Sequence, residues 1–303
     1  MEEVEYLRGM KHVAFLSAAC MIKDHPKARK DYWEYDLEIA ALAPACQAEG
    51  IELVTCIWDD PDFDAGEYDA AVIGTCWDYM QTPDAFEAAL AGIAGKTRLL
   101  NPLEIFRWNK RKTYLQELAA RGAPMIPTIW AERADAASIA AAFEALGCED
   151  LIVKPVLGGG AWRQARIRRG EALPDPEKLP LAECMLQPFL PAVSQEGEYA
   201  FLFFGRAFSH CARKVPAAGD YRVQSEYGGH EEVHHPSDEE LALASAVLDC
   251  VDGDLLYARV DMLRGLDGKL ALIELELIEP YLYPEQGPDM GKAFAAALKT
   301  MLG

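Results

Sequence analysis

Short apolar runs alternate with helical stretches over the first hundred residues, and this alternation limits the fold more than any other feature of the chain. The apolar runs predict strands at residues 13–17, 53–57 and 70–74. Helices are expected at residues 32–48, which are rich in leucine and alanine, and from Pro83 onward, with Thr82 as the N-cap. Strands that alternate with helices favour a mostly parallel sheet covered on both faces, with ligand sites at the carboxyl ends of its strands.

The rest of the chain has a different pattern, in which antiparallel strands dominate. Asn101-Pro102 is expected to end the first lobe. The later patterns predict helices at residues 109–121, 134–146 and 238–249, and strands at residues 151–153, 199–204, 207–214, 255–264 and 269–278. Glycine-bearing turns join the last strands, which is typical of antiparallel pairing. The sequence therefore predicts an α/β N-terminal lobe followed by an α+β region.

The charge balance excludes several classes of partner. Asp and Glu number 49 against 29 Lys and Arg, which gives a formal net charge of −20. Such an acidic surface repels phosphate backbones and anionic lipid, so neither nucleic acid nor a membrane is expected as a partner. No apolar run approaches the ~18–20 residues that span a bilayer, and the acidic start does not fit a secretory signal. Eight cysteines without a Cys-x-x-Cys pair indicate reduced thiols and a cytoplasmic location.

The strongest local signal is a hairpin near the end of the chain. Asp267-Gly268 lies between two apolar runs, a combination that predicts a tight turn. A two-residue turn at this place pairs Asp261 with Glu274 and Arg259 with Glu276. A four-residue loop would shift the pairing by two residues and leave all four on the same face.

Three carboxylates therefore converge on one face of this hairpin, while Ile273, Leu275 and Leu277 are expected on the other face. Like charges opposite each other destabilise a sheet, so a cation must neutralise them. Arg259 can neutralise one of them, and a hard divalent cation such as Mg²⁺ would suit all three. The alternative is a solvated strand face with a salt bridge to Arg259.

A second signal is cationic. Lys154 ends a predicted buried strand and is followed by Pro155 and by the glycines Gly158, Gly159 and Gly160. Glycines let backbone N–H groups approach an anion closely, which favours a phosphate-binding loop. The segment matches neither the P-loop nor the dinucleotide fingerprint, and a plain flexible turn is the alternative.

The stretch from His230 to His234 matches the H-E-x-x-H pattern of zinc hydrolases. That pattern holds zinc only on a helix, where the two histidines share a face. Gly228-Gly229 precedes it and Pro236 follows it, so we expect a solvated loop. A zinc-dependent hydrolase that uses His230 and His234 is kept as an alternative function.

Further segments complete a pattern of a known superfamily. Asn101 and the run Asn109-Lys110-Arg111-Lys112 precede the Lys154 loop, and the segments 186–190 and 215–229 follow it. Together with the acidic hairpin, they resemble the ATP-grasp superfamily, in its glutathione synthetase-like branch, over about residues 99–280. The resemblance implies two subdomains with antiparallel sheets that clasp a nucleotide. It divides the chain into a substrate lobe at residues 1–107 and two ATP-grasp subdomains at residues 108–190 and 191–303.

The resemblance also implies roles for single residues. Lys112 would be the first nucleotide lysine, although Lys110 is close enough to compete, and Lys154 and Arg222 would be catalytic residues that bind phosphate. The other nucleotide positions fall on Lys154, Gly158, Gly159, Gly160, Gln187, Pro188, Phe189 and Glu198, and the metal positions on Asp261, Glu274 and Glu276. Glu276 departs from the asparagine of glutathione synthetases, and the run 274–283 is similar to the cycloserine synthetase type, an O-ureido-serine cyclo-ligase.

The expected function is an ATP- and Mg²⁺-dependent ligase that joins a carboxylate to an amine, or cyclises one molecule, through an acyl phosphate. The substrate is expected to be small and amino-acid-like, and the resemblance leaves a homo-oligomer open. Trp77, Asp78 and Tyr79 follow a predicted strand end and are expected to line the substrate site, with core aromatic packing as the alternative for Trp77 and Tyr79. A nucleotide-binding protein without turnover is the last alternative.

Overall fold

The structure is a computed structural model that describes residues 9–223 and 227–303. Its first sheet is parallel and runs in the spatial order β2 (Ile51–Ile57), β1 (Lys11–Ser17), β3 (Ala70–Ile73) and β4 (Arg98–Leu100). In the chain, helix α1 (Trp33–Ala48) lies between β1 and β2, and helix α2 (Pro83–Ala94) lies between β3 and β4. Val13 and Phe15 of β1 pack on the α1 side, whereas Ala14 and Leu16 pack on the α2 side. The predicted parallel sheet with two covered faces is confirmed.

A second sheet is antiparallel and runs in the order β5 (Ile129–Ala131), β8 (Cys184–Pro188), β6 (Asp150–Pro155) and β7 (Ala165–Arg168). The helices α3 (Leu103–Asn109), α4 (Tyr114–Ala120) and α5 (Ala136–Leu146) precede or flank it in the chain. Local signals set the ends of α5. Asp135 forms a capping box with Ser138, and Gly147 ends the helix at a φ of 59°.

The third sheet is also antiparallel, in the order β11 (His230–His234), β10 (Ala207–Val215), β9 (Glu198–Phe204), β12 (Tyr257–Arg264) and β13 (Leu270–Glu276). The helices α6 (Ala192–Gln195), α7 (Asp238–Asp249) and α8 (Met290–Leu302) belong to the same part of the chain. Helix α8 returns to pack on α1, where a Cβ on Gly291 would lie 2.1 Å from the Ala41 carbonyl oxygen. Only glycine therefore allows this close approach of the two helices.

Two expectations about helices and loops were wrong. The single helix expected at residues 109–121 is interrupted between α3 and α4, because the Lys112 N–H donates to the Val156 carbonyl (2.9 Å) on the neighbouring sheet. The loop expected at His230–His234 is an edge strand, because its backbone pairs with β10. The division at residues 107/108 and 190/191 stays a prediction. Within the described ranges, no helix is long and apolar enough to cross a membrane.

The acidic hairpin has the predicted pairing at its open end. Asp261 pairs with Glu274, and Arg259 pairs with Glu276. The antiparallel partner on the other side of β12 is β9, where Ala200 pairs with Asp261. The charged side chains therefore lie on one face of a sheet whose central strands are otherwise apolar.

The turn of this hairpin differs from the predicted two-residue turn. The Gly265 N–H donates to the Lys269 carbonyl (2.8 Å), and Gly268 takes the positive φ of 81° that the resulting loop needs. This loop shifts the pairing by one residue, and a β-bulge between Asp261 and Met262 shifts it back. Ile273 is the extra residue at the bulge.

The bulge also corrects the expected apolar face. Ile273 packs with Ile152 and Phe189, whereas Leu275 and Leu277 belong to the core on the opposite side of the sheet. The prediction that all three share one face was wrong for Ile273. A bulge adds one residue to a strand. Side chains before and after the bulge that would share a face in a regular strand therefore point to opposite faces of the sheet.

Candidate active site

A cleft of about 380 Å³ lies between the two antiparallel sheets and reaches the loop after β3. With one exception, every residue assigned to a site from the sequence lines this cleft. They are Trp77, Tyr79, Lys112, Lys154, Gly158, Gly159, Gly160, Gln187, Pro188, Phe189, Glu198, Arg222, Asp261, Glu274 and Glu276. The exception is Asp78. The fold thus brings together residues that are far apart in the chain.

One part of the cleft is apolar. A cluster of buried side chains from both antiparallel sheets lines it: Ile126, Ile152, Phe189, Leu190, Val193, Val223, Leu263 and Ile273. The Gln187 amide donates to the Thr128 hydroxyl (2.9 Å), and the Arg166 guanidinium lies 3.6 Å from the Phe189 ring centroid. A flat aromatic ligand would bury its faces here, with backbone groups of the β8 end at its rim.

A row of alternating charges crosses the next part of the cleft. Lys214 lies 2.9 Å from Asp261 and also pairs with Glu198. The Arg259 guanidinium donates twice to Asp261, at 3.0 Å each, and also to Glu276. The register explains the row, since Lys214 pairs with Glu198 across β9 and β10 and Arg259 pairs with Glu276 across β12 and β13.

The row shifts the titration of its carboxyl groups in opposite directions. Burial raises the pKa of Asp261, but Arg259 and Lys214 outweigh it and hold that pKa below the usual range. Burial raises the pKa of Glu276 to about 7, because Arg259 and Lys214 do not outweigh burial and the neighbouring carboxylates Asp261 and Glu274. Asp261 is therefore already neutralised by protein cations: Arg259 was expected to pair with one carboxylate of the hairpin, whereas Lys214 was not predicted.

Two lysines face the cleft from the second sheet and from the break between α3 and α4. Lys112 lies 2.8 Å from Glu274 and donates to the Gly158 carbonyl, so it links the glycine loop to the acidic hairpin. Lys154 is partly buried, and in the described ranges its ammonium makes no hydrogen bond or ion pair. Burial lowers its pKa, and the opposing effect of Glu274 and Glu198 does not outweigh burial. Lys110 also lines the cleft and pairs with Glu87.

The two asparagines of the N-terminal segment hold the site together. Asn101 donates to the Tyr257 and Leu277 carbonyls at 2.9 and 2.8 Å. Asn109 donates to the Leu275 carbonyl (2.8 Å) and accepts from the Leu277 N–H (3.0 Å). Both side chains are buried and satisfied, so they fix the acidic hairpin against α3.

The residues expected to bind substrate have separate surroundings. The Trp77 indole donates to the Glu279 backbone carbonyl (2.9 Å), and Tyr79 packs in an aromatic cluster while still lining the cleft. Asp78 accepts from the Trp58 indole (2.9 Å) and does not line the cleft, and its contact with substrate stays a prediction. A turn after β3 sends consecutive side chains in different directions, and that turn could not be read from the residues.

Arg222 lies at the edge of the cleft and is paired. Its guanidinium donates to Asp220, at 2.7 Å for the closest contact, and lies 3.8 Å from the Tyr227 ring centroid. The hydrogen bonds from Arg222 hold the pKa of Asp220 well below its usual range. An anion that binds Arg222 must therefore share it with Asp220.

The carboxylates fit a Mg²⁺ ion that is also bound to phosphate oxygens better than they fit a metal ion held by protein side chains alone. In the two described ranges, no three His, Cys, Asp or Glu side chains are arranged to hold a metal ion by themselves. Mg²⁺ needs few protein ligands, because it keeps waters and shares phosphate oxygens. Glu274 and Glu276 line the cleft and offer oxygen ligands, whereas Asp261 is held by two cations.

Sequence reasoning missed Lys214 and Glu279, which also line the cleft. Lys214 has a signal in the chain, since it is a lone lysine at the end of an apolar strand and the strand period places it opposite Glu198. Glu279 has no such signal, because it follows the last strand and its position depends on the turn toward Pro280.

Comparisons with known proteins agree with this geometry. A family model described as the N-terminal domain of D-cycloserine synthetase DcsG matches residues 13–101, and the ATP-grasp domain of prokaryotic glutathione synthetase matches residues 133–280. The cycloserine biosynthesis protein DcsG of Streptomyces lavendulae is 30% identical over 284 residues, which cover 88% of this chain and 94% of that protein. The chain belongs to the cycloserine synthetase-like ATP-grasp family.

Solved structures extend the likeness of this ATP-grasp protein to its whole fold. The crystal structure of D-cycloserine synthetase DcsG has a TM-score of 0.83 at 27% identity, covering 96% of this chain and 100% of that one. The ATP-grasp ligase PsnB, with a TM-score of 0.65 at 17% identity over 96% and 97% of the two chains, shares the fold. The predicted family and ATP-grasp fold are confirmed. The protein is an ATP-dependent ligase that forms C–N bonds between a carboxylate and an amine.

The zinc alternative has no support in this ATP-grasp protein. His230 bonds Glu232 and His234 bonds Glu240, each at 3.2 Å, so the two rings do not share a site. On a strand, residues four apart lie roughly 13 Å apart along the backbone, too far for two ligands of one zinc ion. The alternative of a nucleotide-binding protein without turnover also has no support.

Proposed function

We propose that this ligase uses ATP and Mg²⁺ to activate the carboxylate of a small amino-acid-like substrate as an acyl phosphate. The observation that carries the proposal is the Lys154 ammonium, which has no partner among the described residues and lies in the wall of the cleft, opposite the sheet that holds Glu274 and Glu276. A partly buried cation without a partner is costly, and a phosphate group would supply the missing charge.

The rest of the cleft suits the other parts of a nucleotide. Adenine would lie in the apolar part beside Gln187, Pro188 and Phe189, and the ribose hydroxyls would donate to Glu198. Gly158, Gly159 and Gly160 would cover the phosphates with their backbone N–H groups. Lys112, Lys154 and Arg222 would balance the phosphate charge, which also allows an anionic nucleotide to bind a chain of net charge −20.

Glu274 and Glu276 would hold Mg²⁺, with Asp261 behind them as the third carboxylate. When bound, Mg²⁺ supplies positive charge to the phosphate oxygens. Lys112 pairs with Glu274 at 2.8 Å, so it is expected to exchange this carboxylate for phosphate oxygens when the nucleotide binds.

The reaction would proceed in two balanced steps. A carboxylate oxygen of the substrate attacks the γ-phosphorus of ATP, the bond to the bridging oxygen breaks, and ADP leaves. A nitrogen then attacks the acyl carbon and loses its proton, and inorganic phosphate leaves with the electrons of the C–O bond. The nitrogen belongs to the same molecule in a cyclisation and to a second molecule in a ligation. Closure of the glycine loop would keep water from the acyl phosphate.

A thermal-shift titration with a non-hydrolysable ATP analogue, with and without Mg²⁺, tests the nucleotide site. A ligand at ~100 times its Kd adds about 2.7 kcal/mol to the free energy of unfolding, so a Mg²⁺-dependent rise in Tm is expected. ADP release is then measured with O-ureido-serine and with γ-glutamyl peptides. The proposal fails if millimolar nucleotide leaves Tm unchanged.

A further inference from the structure

The cleft has a second end, beyond the acidic hairpin, where one carboxylate has no counter-ion. Glu279 lines this end and is partly buried. Apart from its own backbone N–H, its carboxylate has no hydrogen-bond donor and no ion-pair partner among the described residues. Each of the three hairpin carboxylates, by contrast, is paired with lysine or arginine. The cleft therefore holds a carboxyl group without a partner in the described ranges, and burial raises its pKa well above the usual value.

A second unpaired polar group lies beside it. Tyr79 is only 6% exposed and lines the cleft, and its hydroxyl makes no hydrogen bond with any other residue of the described ranges. Burial raises the pKa of this hydroxyl far above its usual range, and Glu279 is the charged group that contributes most to the rise. A buried hydroxyl without a partner indicates a place that a ligand fills.

Aromatic rings enclose the same end. Trp77 donates from its indole to the Glu279 backbone carbonyl at 2.9 Å, which holds the backbone of Glu279 against the ring. The Tyr281 ring meets Trp77 edge to face, with centroids 6.0 Å apart. Aromatic rings that line a cleft together with a carboxyl group suit an ammonium ion, because a ring face attracts a cation.

Arg259 supplies the opposite charge at this end. It lines the cleft near Glu279 and opposes the burial that raises the pKa of Glu279, yet the two side chains form no ion pair. Arg259 is engaged with Asp261 and Glu276, so Glu279 is the carboxyl group here that is left without a partner among the described residues. The group of an amino acid that would match it is the ammonium.

We propose that Glu279 binds the ammonium group of a zwitterionic amino-acid substrate, within an enclosure formed by Trp77, Tyr79 and Tyr281. This inference rests on the proposed function and deepens it, since it assigns a residue to the substrate's free amine. It makes a free amine next to the activated carboxylate a requirement for tight binding.

Glu231 is the competing carboxylate, because it also lines the cleft. It lies on the edge strand β11, and Lys214 and His230 are the cations that lower its pKa against burial. Glu279 has only Arg259, which is already engaged with Asp261 and Glu276. Glu279 is therefore the carboxylate that gains more from an incoming cation.

The experiment measures binding of matched ligand pairs to enzyme saturated with Mg²⁺ and a non-hydrolysable ATP analogue. The pairs are O-ureido-serine with 3-(ureidooxy)propanoate, alanine with propanoate, and glutamate with glutarate, and the amino acids are used in both configurations. Each pair differs only in the ammonium group. Isothermal titration calorimetry gives Kd for wild type, Glu279→Gln and Glu231→Gln. Glu285→Gln, an exposed residue outside the cleft, is the control for the change in net charge.

Wild type is expected to bind the amine-bearing member of at least one pair about ten-fold more tightly, as a hydrogen bond to a charged group implies. Glu279→Gln should abolish that preference, and the other two variants should keep it. The inference is overturned if wild type shows no preference in any pair, if Glu279→Gln keeps it, or if Glu231→Gln loses it instead. Normal binding with slower turnover in Glu279→Gln would also overturn it, in favour of a role in proton transfer.

Two checks keep the result decisive. A nucleotide-induced rise in Tm shows that Glu279→Gln is folded; if it is not folded, Glu279→Asp replaces it and should lose part of the preference while keeping the charge. Failure of the two proposals is distinguishable, because nucleotide binding to wild type is measured first. No nucleotide effect refutes the proposed function, whereas a normal nucleotide effect without an amine preference refutes this inference alone.

Discussion

Lys214→Met tests the buried row of charges most directly. Lys214 is 7% exposed, lies 2.9 Å from Asp261 and pairs with Glu198. Burial lowers its pKa, but Asp261 and Glu198 outweigh burial and raise the pKa well above its usual value, so the side chain is charged at any ordinary pH. Methionine keeps much of the length and the apolar stem while it removes the charge.

The expected loss in the free energy of unfolding depends on which carboxylate, Asp261 or Glu198, is left without a counter-ion. Removing one member of a buried ion pair costs about 3–5 kcal/mol, because the remaining charge is uncompensated. Asp261 keeps both hydrogen bonds from Arg259 at 3.0 Å, so the loss falls mainly on Glu198. We therefore expect the lower end, about 3 kcal/mol, which corresponds to a fall in Tm of about 6–12 °C.

Urea unfolding followed by tryptophan fluorescence, together with calorimetry, measures the loss. Lys292→Met is the matched control, because Lys292 pairs with Asp289 at 2.7 Å on the surface and the free energy of unfolding should not change. Adding Glu198→Gln to Lys214→Met should restore part of the stability, since the carboxylate left alone is removed. The reasoning is refuted if Lys214→Met and Lys292→Met unfold at the same urea concentration.

Three further predictions concern the site and its surroundings. Lys154→Ala should weaken nucleotide binding severely and leave the fold intact, and unchanged Kd for the ATP analogue by calorimetry would contradict the role of Lys154. Glu274→Gln should abolish Mg²⁺-dependent ADP release while circular dichroism stays that of wild type, and full activity would refute the metal site. Glu38 is 1% exposed, and burial raises its pKa to about 8 although the Leu282 N–H donates to it at 2.7 Å. The folded state therefore holds a proton that the unfolded state loses near pH 4.5, so stability is full below that pH and falls up to about pH 8, by at most about 1.4 kcal/mol per pH unit. Glu38→Gln should flatten this slope in urea unfolding, and an unchanged slope would show that other groups cause it.

The acidic hairpin illustrates how far local signals carry. The pairing of Asp261 with Glu274 was predicted and is confirmed, but the turn that the prediction assumed is not present. The loop at Gly265–Lys269 and the bulge before Met262 shift the register by one residue each in opposite directions. Asp-Gly indicates that a turn occurs, whereas its length and any bulge depend on how the strands pack against their neighbours.

The helix predicted at residues 109–121 shows the limit of periodicity. The observed helix begins only at Tyr114, because Lys112 gives its backbone N–H to Val156 and its side chain to Glu274. Those partners are more than forty residues away in the chain, so no local window includes them. The break is what turns Lys112 toward the cleft.

The sequence by itself determined the parallel first lobe, the antiparallel remainder and the ATP-grasp resemblance, because periodicity and short motifs are local properties. All but one of the residues that it assigned to a site line the cleft. Only the tertiary structure decided which charges neutralise one another. Lys214 pairs with Asp261 and Lys112 pairs with Glu274, whereas Lys154 and Glu279 have no ion-pair partner in the described part of the chain. Such pairing depends on distances between strands that are far apart in the chain, and electrostatic energy depends on those distances and on burial.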